Sequence, residues 1–175
     1  MTSSARARDQ ILGSLRSTGG KGSVRVQDRF DVPVADVWSA LTDSHRLGAW
    51  LGEVEGDLRP GGEFRARFFA SGWEGTGRIE VCEPPRRLLL LTKDADEPDA
   101  PEDHVIEVRL SADGDQTVVA WEEREIPVDQ LAAYGAGVQV HVEDLGAHLA
   151  GRGRCDAAAR FDVLFPAYRE LAVDS

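Results

Sequence analysis

The sequence predicts an α+β fold in which a bent antiparallel sheet wraps around a long C-terminal helix. Apolar and polar residues alternate through a series of short segments between residues 53 and 126, which is typical of strands with one buried face. Residues 129–150 change to a helical period instead. Their apolar stripe consists of Leu131, Val138, Val142, Leu145 and Leu149. Short turns join the segments, so neighbouring strands are expected to be antiparallel, with one face covered by the helix.

The elements follow in order along the chain. Residues 23–32 alternate as a strand, and Pro33 suits a first helical turn because its missing N–H is not needed there. Helices are expected over 33–42 and 43–51, before a tight reversal at Arg59-Pro60-Gly61-Gly62. Further strands are expected over residues 53–58, 63–70, 73–83, 86–93, 103–111 and 116–126, giving seven strands in all. A final helix is expected over 156–172, bent or broken at Pro166.

The N-terminal residues 1–22 are interpreted as a separate helix and linker. Ile11, Leu12 and Leu15 have the spacing of a short amphipathic helix near residues 5–16, and a glycine linker follows at 19–22. The segment has no apolar stretch of the kind found in secretory signals. The domain itself, with its C-terminal helical tail, is therefore expected to span residues 23–175.

Composition restricts the classes of partner. The chain has 175 residues, 42% of them hydrophobic, and a formal net charge of −11. That charge opposes binding to nucleic acid or to an anionic membrane surface, both of which rely on Lys and Arg. No stretch approaches the ~20 apolar residues of a membrane span. Two cysteines without a CxxC motif favour a reducing, cytoplasmic location.

Three residues of the long helix could in principle hold a metal. His141, Asp144 and His148 are spaced i, i+3 and i+7, so they can share one helical face. They lack the compact i, i+4 histidine pair of a helical zinc site. We therefore expect a partly exposed polar margin, with Asp144 furthest toward solvent, and no metal site.

His104 is the other histidine with chemical potential. It is in phase with Ile106 and Val108, so its ring can point to the concave face of the sheet. Together with a carboxylate such as Glu122 on the neighbouring strand, it could form an acid–base pair. The sequence does not decide which side of that strand faces inward. Val119 and Trp121 lie on one side, and Glu122 lies on the other. The alternative is that His104 caps a strand entry beside the acidic segment 94–103, which is expected to be an exposed, mobile loop.

Four stretches of the sequence carry a resemblance to a known family. The first is the run Val24–Phe64, in which a strand leads into two short helices and a glycine turn. Pro84-Pro85-Arg86-Arg87-Leu88 resembles the family's turn between central strands, Trp121-Glu122-Glu123 the end of its last strand, and Gly137–Leu149 its long C-terminal helix. In this order they resemble the family named for activators of the Hsp-90 ATPase, within the START-like (Bet v 1-like, polyketide cyclase) superfamily. The resemblance implies a helix-grip fold. Val138 stands where the family often has tryptophan, which implies a larger space between sheet and helix.

That space is the candidate site. The sequence has no nucleophile elbow, dinucleotide motif or phosphate loop, so neither a cofactor nor a catalytic residue is expected. Apolar walls with a few polar groups are typical of small-molecule sites. The expected lining is Phe64, Phe68, Trp73, His104, Ile106, Val108, Trp121, Tyr134, Val138 and His141.

Three functions compete on this scaffold, because the superfamily hosts several. The first is non-catalytic binding of a small hydrophobic ligand in the cavity. The second is a co-chaperone that activates an Hsp-90-like ATPase, which only the resemblance implies. The third is a cyclase- or dehydratase-like enzyme acting on a hydrophobic substrate, which would need an acid–base pair inside the cavity.

Overall fold

A single curved sheet forms the frame of the computed structural model, which describes residues 11–175. Its strands are β1 Gly13–Thr18, β2 Lys21–Phe30, β3 Gly52–Gly56, β4 Glu63–Phe68, β5 Glu74–Glu83, β6 Arg87–Asp94, β7 His104–Asp113, β8 Gln116–Pro127 and β9 Val173–Asp174. The spatial order is β3-β4-β5-β6-β7-β8-β2-β1-β9. Neighbouring strands pair antiparallel, except that β9 runs parallel to β1.

Four helices complete the described part of the chain. They are α1 Val34–Thr42, α2 Ser44–Trp50, α3 Leu131–Leu149 and α4 Ala157–Glu170, with a 3-10 turn at Val128–Gln130 before α3. The long helix α3 packs against β1, β2 and β8, while α4 packs against α3. The predicted α+β fold, a sheet gripping a long C-terminal helix, is confirmed.

Alternation along the central strands decides which side chains face the helix. Phe64 and Ala66 of β4 are buried, as are Ile106 and Val108 of β7. On the outer face, Arg65 of β4 and Arg109 of β7 are exposed. On β8, the buried phase is Val119, Trp121 and Glu123. The phase that the sequence left open is therefore the one that contains Trp121.

Charged residues on the outer face of the sheet are paired with one another. The carboxylate of Glu107 accepts hydrogen bonds from Arg87 Nε at 2.6 Å and Arg124 Nη1 at 2.9 Å, and Arg109 lies 2.9 Å away. Burial raises the pKa of Glu107, but the three guanidinium groups outweigh it, and the net pKa is lowered. This face is a network of mixed charge.

The helix predicted near residues 5–16 is wrong where the structure can be compared with it, because Gly13–Thr18 is a strand. Residues 5–10 lie outside the described part. Gly19 and Gly20 both have positive φ, 60° and 83°, so the expected linker is a two-residue hairpin turn that pairs β1 with β2. Leu15 is buried in the core by strand alternation. With β9, this strand raises the predicted seven strands to nine.

The apolar stripe of α3 faces the core over most of its length. Val138, Val142 and Leu145 are buried as predicted, while Leu149 is only partly so. The opposite side of α3 is buried too, because α4 covers it. Tyr168 of α4 donates a 2.6 Å hydrogen bond to Gln139 Oε1 of α3, and both side chains are fully buried.

Pro166 was predicted to bend or break the last helix, and it does not break it, since α4 runs through Pro166 from Ala157 to Glu170. Asp156 caps its first turn by accepting a hydrogen bond from Ala159 N at 3.2 Å. Leu164 is completely buried, and Phe161 stacks on Phe165 with ring centroids 5.3 Å apart. The tail therefore docks as predicted.

Two glycines of α3 should respond oppositely to alanine. In an open helix interior, Gly→Ala stabilises by about 1 kcal/mol. A Cβ at Gly135 would lie 2.5 Å from the Tyr168 ring, whereas one at Gly137 meets nothing within 4 Å. We expect Gly135→Ala to lower the free energy of unfolding by about 1–2 kcal/mol through overpacking, and Gly137→Ala to raise it. Urea unfolding measures both, and a stabilised Gly135→Ala would show that α4 does not pack this closely.

Candidate ligand cavity

A cavity of about 720 Å³ lies between the concave face of the sheet and the long helix. Strands β6, β7 and β8 contribute one wall, and residues 133–141 of α3 contribute the opposite one. The start of α4 closes a third side through Ala157, Ala158 and Phe161. This volume is within the range of small-molecule sites in proteins.

Seven of the ten predicted lining residues border this cavity. They are Phe68, Trp73, His104, Ile106, Tyr134, Val138 and His141. The other three, Phe64, Val108 and Trp121, border a separate cavity of about 70 Å³. They are placed there because α1 and α2 cover that part of the sheet with Leu41 and Leu47. The inward face of the sheet thus divides into a nearly filled core and an open site.

Two glycines of β5 lie directly beneath aromatic rings on the inward face of the sheet. A Cβ at Gly75 would collide with the Trp73 indole, and one at Gly77 would lie 2.5 Å from the Phe64 ring. The glycines therefore let aromatic rings lie against the sheet. The Trp73 ring packs 4.9 Å from that of Phe68, and its Nε1 donates to Asp94 Oδ1 at 2.6 Å.

The acid–base pair considered for His104 exists, but its partner is Glu123 and not Glu122. Ile106 pairs with Glu123 across β7 and β8, so His104, two residues earlier, reaches the same face diagonally. Its Nε2 lies 2.7 Å from Glu123 Oε1, and Trp121 Nε1 donates to Glu123 Oε2 at 2.9 Å. Glu123 is only 6% exposed, and each of its two carboxylate oxygens has a hydrogen-bond partner within the protein. Glu122 instead points outward and accepts from Arg124.

His104 is held toward its charged form. Burial opposes protonation, but the hydrogen bond and charge of Glu123, with the charges of Asp94 and Asp103, outweigh it and raise its pKa above 6.5. The Tyr134 ring lies 5.3 Å from the imidazole. Burial, with the charges of Glu123 and Asp94, raises the pKa of Tyr134 as well.

This raised pKa predicts a pH-dependent contribution to stability. A group whose folded pKa exceeds its unfolded value stabilises fully below the unfolded pKa, and the benefit is lost as pH rises through the folded pKa. The free energy of unfolding of the protein should therefore exceed that of a His104→Gln variant by more at pH 5.5 than at pH 9. Urea titrations at both pH values measure the difference. An equal difference at the two pH values would contradict the charged pair.

His141 forms the inner wall of the cavity. It is 5% exposed, stacks on Trp121 with centroids 5.9 Å apart, and meets the Phe68 ring edge-on at 5.2 Å. Burial lowers the pKa of His141, and this effect outweighs the charges of Glu123 and Asp144, which raise it. The neutral imidazole is therefore favoured. Its Nδ1 is buried and has no hydrogen-bond partner among the described residues. A buried polar atom of this kind needs an explanation.

The expected polar margin of α3 is wrong for two of its three residues. His141 is buried, and Asp144, predicted to point furthest toward solvent, is 1% exposed because the turn before α4 covers it. Asp144 Oδ1 accepts a 2.9 Å hydrogen bond from Cys155 N. His148 lies elsewhere, with Arg46 Nε donating to its Nε2 at 3.2 Å. Within residues 11–175, no group of three or more His, Cys, Asp or Glu side chains could hold a metal ion.

The acidic segment 94–103 is not a detached loop. Lys93 Nζ donates to Pro98 O at 2.9 Å, and Ala100 N to Glu97 O at 3.0 Å. Asp94, Glu97 and Asp103 border the cavity. The segment is exposed as expected, yet it forms the rim of the site.

A curved sheet that grips one long helix over an internal cavity defines the START-like, or Bet v 1-like, class of α+β proteins. Within this class, the chain belongs to the family described as "Activator of Hsp90 ATPase homolog 1-like protein", which its residues 31–150 match. No curated protein matches the sequence. None of the helices in residues 11–175 is both long and apolar enough to cross a membrane.

Several solved structures are similar. CalU16 from Micromonospora echinospora is 30% identical, with 93% of this chain and 96% of CalU16 covered, at a TM-score of 0.74. DynU16, from the dynemicin biosynthetic locus, is 25% identical over 75% of this chain and 49% of its own, at a TM-score of 0.67. Aha1 from Colwellia psychrerythraea, solved as a dimer, is 16% identical over 73% of this chain and 95% of its own, at a TM-score of 0.62. At this identity the similarity shows only that the fold is shared.

Proposed function

We propose that this protein binds a small hydrophobic molecule in the 720 Å³ cavity, without transforming it. The observation that carries the proposal is this cavity itself, whose walls combine aromatic rings with the imidazole of His141, a buried side chain whose Nδ1 has no hydrogen-bond partner within residues 11–175. Such an atom is satisfied when a ligand or an ordered water supplies the missing hydrogen bond. DynU16, a similar protein, lies in the dynemicin biosynthetic locus. The free cysteines, Cys82 and Cys155, favour a cytoplasmic setting for this binding.

The driving force is burial of apolar surface. Transfer from water contributes about 25 cal/mol per Å² before the cost of association. A bicyclic aromatic compound should therefore bind with a Kd in the micromolar range, which corresponds to about −8 kcal/mol. Phe68, Trp73 and Phe161 supply rings for stacking at the walls.

Native mass spectrometry of the purified protein, followed by titration with 1-naphthylmethanol as a neutral probe, tests the proposal. We expect either a co-purifying mass that is released on denaturation or saturable binding of the probe at micromolar concentration. Isothermal titration calorimetry measures the binding. If the protein shows no co-purifying mass and no saturable binding of the probe, the proposal of a ligand cavity is contradicted.

One observation favours a second function, an enzyme of the cyclase or dehydratase type. The His104–Glu123 pair at 2.7 Å is the acid–base pair that such a reaction would need, and it borders the cavity. In the binding function the pair is structural, so His104→Gln should change the affinity for 1-naphthylmethanol little. Loss of a measured turnover in His104→Gln would instead favour the enzyme.

A co-chaperone function rests on the family alone. A basic patch on one face would favour it, because the chain as a whole is acidic. The arginines on the outer face of the sheet include Arg67, Arg78, Arg87, Arg109 and Arg124, each of which forms an ion pair with a carboxylate. That charge pattern gives the chaperone function less support than the cavity gives to ligand binding.

A further inference from the structure

The rim of the cavity carries carboxylates without cationic partners. Asp94, Glu97, Asp103 and Glu125 all border the cavity and are exposed. None of these four carboxylates forms an ion pair within residues 11–175, whereas Glu53, an exposed carboxylate elsewhere, pairs with Arg67. The absence of local partners leaves an uncompensated negative charge at the entrance.

The cations of the same cavity do not balance this charge. Lys93 directs its Nζ to the carbonyl of Pro98, and the fifth carboxylate, Glu123, is matched by His104. The four rim carboxylates thus face two lysines, Lys21 and Lys93. Their field already acts within the cavity, since the charges of Asp94 and Asp103 favour the protonated form of His104. A cleft with low-dielectric walls and one excess sign of charge attracts ligands of the opposite sign.

Glu125 is held at the rim by an uncommon backbone conformation. Its φ is 64°, in the left-handed region that residues other than glycine rarely adopt. The pairing of β8 with β2 is irregular here, with a register shift between Gly22 and Val24. Residues held in sparsely populated conformations cluster at binding sites, where the surrounding fold stabilises them.

Aromatic rings border the same cavity. Trp73, Tyr134 and Phe161 line it together with the rim carboxylates. A ring face within about 6 Å of a cation attracts it electrostatically. His141 also lines this cavity, and its buried Nδ1 has no hydrogen-bond partner within residues 11–175.

We propose that the ligand is an amphiphilic cation, with a hydrophobic body in the cavity and a protonated amine at the rim formed by Asp94, Glu97, Asp103 and Glu125. This inference rests on the proposed function and specifies its ligand class. Single exposed ion pairs are weak and are screened by salt. Several of them acting on one amine should together give about tenfold preference for a cation over an anion of the same shape at low salt.

Three probes with one naphthalene body test the charge preference. They are 1-naphthylmethylamine as the cation, 1-naphthylmethanol as the neutral compound and 1-naphthoate as the anion. We expect Kd values in the order cation, neutral, anion, with about tenfold between the extremes at low salt and a smaller ratio in 0.5 M NaCl, where the Debye length is only about 4 Å. Calorimetric titration of the full chain measures all three.

Matched variants locate the preference. The triple variant Glu97→Gln, Asp103→Asn, Glu125→Gln removes three rim charges, and we expect it to bring the cation-to-anion ratio close to one. The control variant, Asp96→Asn, Asp99→Asn, Asp115→Asn, removes three exposed charges that do not line the cavity, and it should keep the ratio.

The possible outcomes separate the two proposals. If the alcohol binds, and the amine and the acid bind with equal affinity, the cation preference is overturned but the ligand cavity is supported. A preference that persists in the rim variant would overturn it too, since the net charge of the whole chain would then be the cause. Failure of all three probes to bind protein that carries no co-purifying mass would reject the cavity as a ligand site, and the ligand class with it.

Discussion

Val138→Trp is expected to weaken binding of 1-naphthylmethanol by at least about tenfold while the protein stays folded. Val138 borders the cavity from α3, opposite the strand residues Ile106 and His104. An indole at this position would occupy the volume that the probe needs. A tenfold loss corresponds to about 1.4 kcal/mol, a small part of the expected binding free energy.

The control for this prediction is Val163→Trp. Val163 is exposed on α4 and does not line the cavity, so the same enlargement should leave the affinity unchanged. Circular dichroism and thermal unfolding check the fold of both variants, because overpacking at buried Val138 costs about 1–3 kcal/mol of stability. Unchanged probe binding in a folded Val138→Trp protein would place the ligand elsewhere.

The central sheet and long helix could be predicted because their patterns are local. Alternation in β4 and β7, and the stripe of Val138, Val142 and Leu145, record which side of each element meets the core. The N-terminal strand was missed because Ile11, Leu12 and Leu15 also fit a helical spacing. Gly19-Gly20 was the signal available, since two glycines with positive φ form a tight hairpin turn.

The candidate site was only partly predictable, because its polar groups depend on contacts between distant segments. Alternation on β8 fitted either Glu122 or Glu123, and only the packed structure shows that Glu123 shares the inward phase of Trp121. Asp144 was assigned to solvent from its angle on α3 relative to the stripe. It is buried because α4 and the preceding turn cover that side, which helical periodicity cannot reveal.

The same covering helix explains why α3 is buried on more than one face. Phe161 of α4 borders the cavity, and Tyr168 is buried against α3 and the N-terminal strand β1. Leu12 N donates to Gln139 Oε1 at 3.0 Å, the same oxygen that accepts from Tyr168. Chain segments more than a hundred residues apart therefore meet at one buried amide, which joins the N-terminal segment and α4 to α3.

Removal of the tail after Gly151 is expected to lower the melting temperature by at least about 10 °C. Leu164 and Tyr168 are completely buried, and full burial of a large apolar side chain contributes about 1.5–3 kcal/mol. The loss also exposes buried Asp144 and leaves Gln139 without its tyrosine partner. For a chain of this size, 1 kcal/mol corresponds to about 2–4 °C, so a loss of several kcal/mol gives the stated shift.

Tyr168→Phe separates the hydrogen bond from the packing. It removes only the hydroxyl that donates to Gln139, while Leu12 N still satisfies the same oxygen, so a loss of about 1 kcal/mol is expected. Leu164→Ala should cost more, about 2–5 kcal/mol, because it leaves a cavity in a fully buried position. Differential scanning calorimetry on the truncated chain and both point variants gives the order. If the truncated protein melted at the temperature of the full chain, α4 would not be part of the folded core, and Phe161 would not be a wall of the ligand site.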